Sequence, residues 1–129
     1  HQLPRKKKWA SKELSEFIVL CYGNKTDPHS IKGSYAGAFG FGQFIPSSFN
    51  FYAIDFDGDN IRHHDKWPDV LGSIANYLLK NGYKSNTNDY SKNSSAWKSV
   101  FAYNRSNNYV GVIMELREEI KKGVLNNKL

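Results

Sequence analysis

The sequence contains little of what disulfide-linked, membrane-spanning or β-rich proteins need. Its 129 residues include one cysteine, Cys21, which excludes an intramolecular disulfide bond. The longest uninterrupted apolar run, 17–22, is far shorter than the roughly 20 residues of a transmembrane helix. Runs of alternating apolar and polar residues are too short for a substantial sheet. We therefore predict a mainly α-helical chain with no membrane span and a buried, unreactive Cys21 thiol.

The balance of charge is strongly positive, with a net charge of +6 and a pI near 9.4. Such a charge favours a polyanionic partner, either a nucleic acid, an anionic membrane or a wall polymer. The lysines are scattered and no RNA-binding signature appears, so we expect no nucleic-acid partner. The basic run at positions 5–8 is interpreted as part of a solvated tail over residues 1–10. The chain opens at His1, without an initiator methionine or signal peptide, and we expect either a removed targeting segment or a part of something longer.

Helical periodicity and turn residues predict six helical regions. The first begins at Ser11 as N-cap and ends at Gly23. Its predicted apolar face consists of Leu14, Phe17, Ile18, Cys21 and Tyr22. The others are short pieces over 38–44 and after Pro46 with Ser47 or Ser48 as cap, then 68–81, 96–103 and 108–122. In 68–81 the inward stripe is predicted to be Val70, Leu71, Ile74, Ala75, Leu78 and Leu79, and in 108–122 it includes Val110, Ile113 and Ile120. We therefore predict one domain over residues 11–123, followed by a C-terminal tail at 124–129.

An acidic loop begins at Asp55, with carboxylates at alternate positions that turn hard oxygen ligands toward one centre. The twelfth position of a standard EF-hand loop falls on Lys66, which cannot ligate, but Asp69 at the fifteenth position can close the shell. We expect a structural Ca²⁺ rather than Mg²⁺, and no organic cofactor; an acidic turn without metal is the alternative. A zinc site at the adjacent His63 and His64 is not expected. The predicted ligands are Asp55, Asp57, Asp59, the backbone carbonyl of Ile61, and Asp69.

Three segments in order resemble the lytic murein transglycosylase B family. They are the glycine-rich stretch 32–48, the run 52–59 with 73–78 and 82–83, and Tyr103-Asn104-Arg105-Ser106 with Tyr109 beyond. The resemblance covers nearly the whole chain and implies a lysozyme-like helical lobe with an EF-hand-like calcium loop. It also implies peptidoglycan glycan strands as partner and a place in the bacterial periplasm or outer cell envelope, and we expect a monomer. The substrate-binding residues that it implies are Ser34, Gln43, Tyr77, Tyr103, Asn104 and Tyr109.

Members of that family cleave the N-acetylmuramic acid–N-acetylglucosamine bond to 1,6-anhydro products, with one glutamate as acid and then base. That glutamate lies some fifty residues before the segment matching Ser34, which is beyond the start of this sequence. Glu13 and Glu16 match a non-catalytic helix, so we expect no catalytic residue in this chain. The resemblance therefore implies part of a lytic transglycosylase, an enzyme whose acid lies upstream, and the alternative is a non-catalytic peptidoglycan-binding module or scaffold. Loss of part of the lobe would expose apolar surface.

Overall fold

The structure, a computed structural model, describes residues 3–126. Its helices are α1 (Leu3–Gly23), a 3₁₀ turn (Pro28–Ser30), α2 (Pro46–Tyr52), α3 (Trp67–Lys80), α4 (Ser95–Tyr103) and α5 (Asn107–Asn126). Extended pairing over 3–126 is limited to isolated bridges, which confirms the mainly α prediction. Within the same residues no helix is long and apolar enough to cross a membrane. The chain divides into two compact units, the first ending at Asn76 and the second beginning at Tyr77.

The first helix begins eight residues earlier than the cap residues predict, at Leu3 instead of Ser11. Ser11 lies inside the helix, where its carbonyl oxygen accepts a hydrogen bond from Ser15 Oγ at 3.0 Å. Pro4 is tolerated in a first turn, and the lysines and alanine that follow are good helix formers. Residues 3–10, interpreted as a tail, are therefore helical, and residues 1–2 lie outside the described residues. The predicted end at Gly23 is confirmed.

The predicted apolar face of α1 is wrong for most of its residues. Leu14, Ile18 and Tyr22 are exposed, whereas the helix buries Glu13, Leu20 and Cys21. Contacts with α2 decide which face of α1 is buried. These contacts include hydrogen bonds between the two helices as well as apolar packing. The buried Cys21 prediction is confirmed, and burial, followed by the nearby Asp27 charge, raises the pKa of its thiol.

Phe39 lies at the centre of the first unit's apolar core. Its ring lies 5.3 Å from that of Phe49 and 6.3 Å, edge-on, from that of Phe17. Other buried apolar side chains of this unit are Leu20, Phe44, Ala53 and Val70. Residues 38–44 form tight turns rather than the predicted helical piece, because Phe39 forms bridges to both Gly33 and Phe44.

The start of α2 is also different from the prediction. Its N-cap is Ile45, which has no side chain able to cap, and Pro46 occupies the first turn. Ser47 donates instead to a carboxylate of α1. The N-terminus of α2 is therefore capped from a distant part of the chain.

α3 runs close to the predicted bounds and ends in a Schellman motif. Gly82, with φ +94°, lets Tyr83 N–H donate to Leu78 O at 2.9 Å. Its predicted stripe is only partly right, since Val70 is buried but Leu71, Ala75 and Leu79 are exposed. The side that packs is made of Asp69, Val70, Gly72 and Ser73.

The remaining helices of the second unit follow the predicted positions. Ser94 caps α4 by accepting from Trp97 N–H at 3.1 Å. Val110 of α5 is fully buried, but Ile120 is exposed. α5 continues past Gly123 to Asn126, so the predicted C-terminal tail is helical over 124–126, and residues 127–129 lie outside the described residues.

Candidate functional site

The glycine-rich stretch 33–44 folds as two successive tight turns on the first unit. Ser34 and Ala38 bond to each other through their backbones, with Ser34 N–H donating to Ala38 O at 2.8 Å, and Phe39 N–H donates to Phe44 O at 3.0 Å. Phe39 is thereby buried while the turns on either side face solvent. The loop is fixed to the core by the buried rings of Phe39 and Phe44.

Gln43 occupies the exposed tip of the second turn. Its backbone has φ +49°, a left-handed conformation that costs a non-glycine residue about 1–2 kcal/mol. Its side-chain Nε2 donates to Gly40 O at 2.8 Å, which holds the amide against its own loop. Strained residues of this kind concentrate at ligand-binding sites. The side chain is exposed rather than buried among aromatic rings, so the amide is presented to solvent.

Gly40 is the position where this loop meets the next one. It has φ +66°, and a Cβ there would stand 2.4 Å from His64 O. Phe41 N–H donates to the same carbonyl at 2.9 Å, and the Phe41 ring lies 4.9 Å from that of Trp67. The glycine-rich stretch 33–44 therefore packs directly against the end of the acidic loop.

Ser34 lies in the first turn of the same loop. Its Oγ accepts a hydrogen bond from Ala38 N–H at 3.1 Å, and the residue is exposed. The structure thus brings two predicted substrate-binding residues, Ser34 and Gln43, into one loop, with Ser34 also stabilising the turn. Its role toward a ligand stays a prediction.

The second unit brings three predicted tyrosines together. The rings of Tyr77 and Tyr103 meet edge to face at 5.0 Å, and Tyr77 Oη donates to Ala102 O at 2.7 Å. Burial, with smaller contributions from the phenols of Tyr109 and Tyr77, raises the pKa of Tyr103 to about 12. The Tyr103 hydroxyl therefore stays protonated at neutral pH.

Asn104 follows this cluster in the chain and is exposed. It is the C-cap residue of α4, where its backbone N–H donates to Val100 O at 3.1 Å. This capping role belongs to its backbone. The function of its side-chain amide stays a prediction.

The acidic loop brings carboxylate oxygens of Asp55, Asp57 and Asp69 within 4.8 Å of one another. Asp69 is fully buried at the start of α3, and its two oxygens accept from Phe56 N–H at 2.8 Å and His63 N–H at 2.7 Å. Asp55 likewise accepts hydrogen bonds from the backbone N–H groups of Gly58 and Asn60. These bonds curl the loop around its carboxylate. Each carboxylate oxygen has a second lone pair, so the set retains hard oxygen donors of the kind that Ca²⁺ prefers.

Asp59 lies apart from that three-carboxylate cluster. Its Oδ2 contacts His63 Nε2 at 3.0 Å and Lys66 Nζ at 3.2 Å, and its Oδ1 accepts from Ile61 N–H. Burial, the largest single effect, raises the pKa of Asp59, but the hydrogen bonds from Ile61, His63 and Lys66 together with the charge of His63 outweigh it, so the pKa is lowered. The predicted part of Asp59 and Ile61 as ligands stays a prediction.

The two glutamates of α1 hold α2 in place. Glu13 is buried and accepts from Ser47 N–H at 2.9 Å and from Ser47 Oγ at 2.8 Å. Glu16 Oε2 accepts from Asn50 Nδ2 at 2.8 Å. Sequence reasoning did not find these pairings, because the partners lie 34 residues apart and neither pair belongs to a local motif.

Comparison with known proteins places this architecture in a defined class, the lysozyme-like lytic transglycosylases. The model of the family described as Transglycosylase SLT domain matches residues 2–91. The chain therefore belongs to that family.

Three relatives show how much of the family's length the chain contains. It is 44% identical over 82 residues to the membrane-bound lytic murein transglycosylase B of Escherichia coli K12, a match that covers 62% of this chain and 22% of that protein. The crystal structure of soluble lytic transglycosylase SltB1 from Pseudomonas aeruginosa superposes with a TM-score of 0.82 at 27% identity, over 95% of this chain and 60% of that one. E. coli Slt35, solved in complex with calcium, gives 0.84 at 23% identity over 95% and 56%. The chain thus spans about a fifth of the curated relative and under two thirds of either solved chain.

Proposed function

We propose that this chain supplies the glycan-binding part of a lytic murein transglycosylase of the bacterial cell envelope. The observation that carries the proposal is the glycine-rich loop, where Gln43 is held at positive φ with its amide exposed. Strain of this kind is retained where it positions a group for a ligand. An amide can donate to and accept from the N-acetyl and hydroxyl groups of a sugar chain. The relatives, which are lytic murein transglycosylases, support glycan strands as that ligand.

The chemical step requires an acid, and the two glutamates of α1 already serve as hydrogen-bond acceptors for α2. Glu13 and Glu16 are both bonded to side chains of α2. We therefore propose that the catalytic glutamate belongs to polypeptide outside these 129 residues. In this function Tyr77, Tyr103 and Tyr109 pack on sugar rings and donate hydrogen bonds through their hydroxyl groups.

Sedimentation with purified peptidoglycan sacculi tests the binding proposal. Gln43→Gly removes the amide and relieves the left-handed strain, and Lys25→Gly makes the same change at an exposed residue with φ +53° elsewhere on the first unit. We expect Gln43→Gly to weaken binding at least about tenfold, or 1.4 kcal/mol, and Lys25→Gly to leave it unchanged. Equal binding by both variants would contradict the proposal.

We also propose that the acidic loop binds one structural Ca²⁺ through Asp55, Asp57 and Asp69, joined by Asp59 and Ile61. The support is the convergence of three carboxylates and the calcium complex of Slt35. The ion would neutralise the buried Asp69 and tie the loop to α3.

Thermal unfolding with Ca²⁺ or with a chelator tests the metal proposal. Ca²⁺ at about 100 times its dissociation constant contributes about 2.7 kcal/mol, which raises Tm by on the order of 5 °C or more. Asp57→Asn removes one cluster carboxylate, and Asp65→Asn removes an exposed carboxylate of the same loop outside the cluster. We expect only Asp57→Asn to lose most of the shift, and an identical response of the two variants would refute this ligand set.

A further inference from the structure

Two aromatic side chains of the first unit, Phe41 and Trp67, lie together at the surface. Their ring centroids are 4.9 Å apart and the ring planes are tilted by 32°. Phe41 is 54% exposed and Trp67 is 59% exposed. Single exposed apolar residues are ordinary in a soluble protein, whereas adjacent ones form a contiguous apolar patch of the kind found at binding sites. We call these two residues the aromatic pair.

The backbone holds both members of the aromatic pair in place. Phe41 N–H donates to His64 O at 2.9 Å. Trp67 is the first residue of α3, whose first turn contains the buried Asp69, and that carboxylate accepts from His63 N–H at 2.7 Å. A ligand therefore meets two rings that are already positioned, and binding costs little additional ordering of the protein.

The turn that carries Phe41 also carries the Gln43 amide. Gln43 N–H donates to Gly40 O at 3.3 Å, which closes a tight turn with Phe41 in its second position. Both side chains are exposed. The aromatic pair is therefore an apolar surface with a hydrogen-bonding amide on the same turn.

A sugar ring matches a surface of this composition. The C–H groups on one face of a pyranose pack on an aromatic ring, while its hydroxyl and N-acetyl groups form hydrogen bonds. An apolar polypeptide segment would use the rings alone, and it would take the neighbouring amide out of water without replacing its hydrogen bonds. The combination of rings and amide thus favours a carbohydrate over an apolar partner protein.

We propose that the aromatic pair stacks on one sugar ring of the glycan strand while the Gln43 amide bonds to a neighbouring unit of that strand. The pair is a second contact point for the strand, and it makes the first unit selective for oligomers over single sugars. The proposal rests on the proposed function, because it takes the glycan strand as the ligand of Gln43.

The variants separate ring stacking from general apolar contact. Trp67→Leu and Phe41→Leu keep an apolar side chain but remove the flat ring, whereas Trp67→Tyr keeps a ring. Phe51→Leu is the matched control, because Phe51 is 65% exposed on α2 and its ring also has an aromatic neighbour, Tyr52, at 4.8 Å. Since each altered side chain is more than half exposed, the variants should fold as the wild type does, which circular dichroism checks.

Calorimetric titration of N-acetylglucosamine oligomers into the full 129-residue chain, with Ca²⁺ present throughout, measures the contribution of the rings. We expect Trp67→Leu and Phe41→Leu to weaken binding at least about fivefold, and Phe51→Leu to change it less than about twofold. Trp67→Tyr should retain most of the affinity. Single N-acetylglucosamine should bind the wild-type chain more weakly than the oligomers do.

Three results would overturn the proposal. The first is no oligomer binding by the folded wild-type chain, and the second is equal affinity in Trp67→Leu and Phe51→Leu. The third is a wild-type dimer that Trp67→Leu converts to monomer in sedimentation velocity, because the rings would then be a protein interface. Sacculus sedimentation tests the proposed function separately: lost binding in Gln43→Gly with full binding in Trp67→Leu would refute the stacking alone.

Discussion

Substitution of Glu13 provides a sharp test of how the first unit is assembled. Glu13 is a buried carboxylate in the middle of α1 that receives two hydrogen bonds from Ser47 at 2.8 and 2.9 Å. α2 has no side-chain cap of its own. The carboxylate therefore performs the capping function for α2 and fixes the helix that follows the glycine loop.

The size of the effect follows from the bonds lost. Glu13→Gln keeps one acceptor but turns an amide N–H₂ toward a donor, which costs about 1–3 kcal/mol for one unsatisfied buried group. Glu13→Ala removes both acceptors, and we expect a loss of about 2–4 kcal/mol, the sum of a lost cap and a charge-assisted hydrogen bond. Glu16→Gln is the matched control, because its side-chain carbonyl can still accept from Asn50 Nδ2. It should cost less than about 1 kcal/mol.

Urea unfolding followed by tryptophan fluorescence measures these differences as shifts in midpoint at constant slope. A Glu13→Gln variant as stable as Glu16→Gln would refute the capping argument. A Glu13→Gln variant of unchanged stability that also lost a lytic activity present in the wild-type chain would instead identify Glu13 as an acid.

Two further substitutions test the loop and the tyrosine cluster. Gly40→Ala should destabilise the chain by more than Gly37→Ala does. At Gly37 left-handed strain alone predicts a loss of about 1–2 kcal/mol, whereas at Gly40 the new Cβ would also meet the His64 backbone carbonyl at 2.4 Å. Equal urea midpoints for the two variants would contradict this. The pKa of Tyr103 is raised from 10.0 to about 12, so its protonated form favours the folded state, and the stabilisation present below pH 10 is lost as pH rises toward 12. After solvent screening this loss amounts to roughly 1 kcal/mol, and Tyr103→Phe should abolish it when unfolding is compared at neutral and alkaline pH; an unchanged alkaline loss in the variant would show that another group causes it.

Local signals in the sequence predicted the elements that local chemistry decides. Gly23 and Gly82 end α1 and α3 as expected, and the alternate aspartates form one loop with Asp69 delivered by the start of α3. These features depend on residues within one or two turns of one another. Their backbone conformations follow from glycine's freedom at positive φ and from carboxylates that accept nearby N–H groups.

The sequence did not predict features that depend on distant partners. The apolar periodicity of α1 placed Leu14, Ile18 and Tyr22 inside, yet the helix is oriented by polar bonds to α2, which lies 34 residues away in the chain. The left-handed backbone conformation of Gln43 was likewise not predicted, because it follows from how the neighbouring turns pair around Phe39. Tertiary contacts of this kind override periodicity and propensity.

The central claim is that this chain holds glycan strands and leaves the chemistry to an acid beyond it. The most direct test is a digest of purified sacculi with the 129-residue chain and Ca²⁺, analysed by mass spectrometry for 1,6-anhydromuropeptides, with sedimentation from the same tubes. The account predicts bound protein and no anhydro products. Anhydro products from the chain alone would contradict it, since an acid within these residues would then be at work.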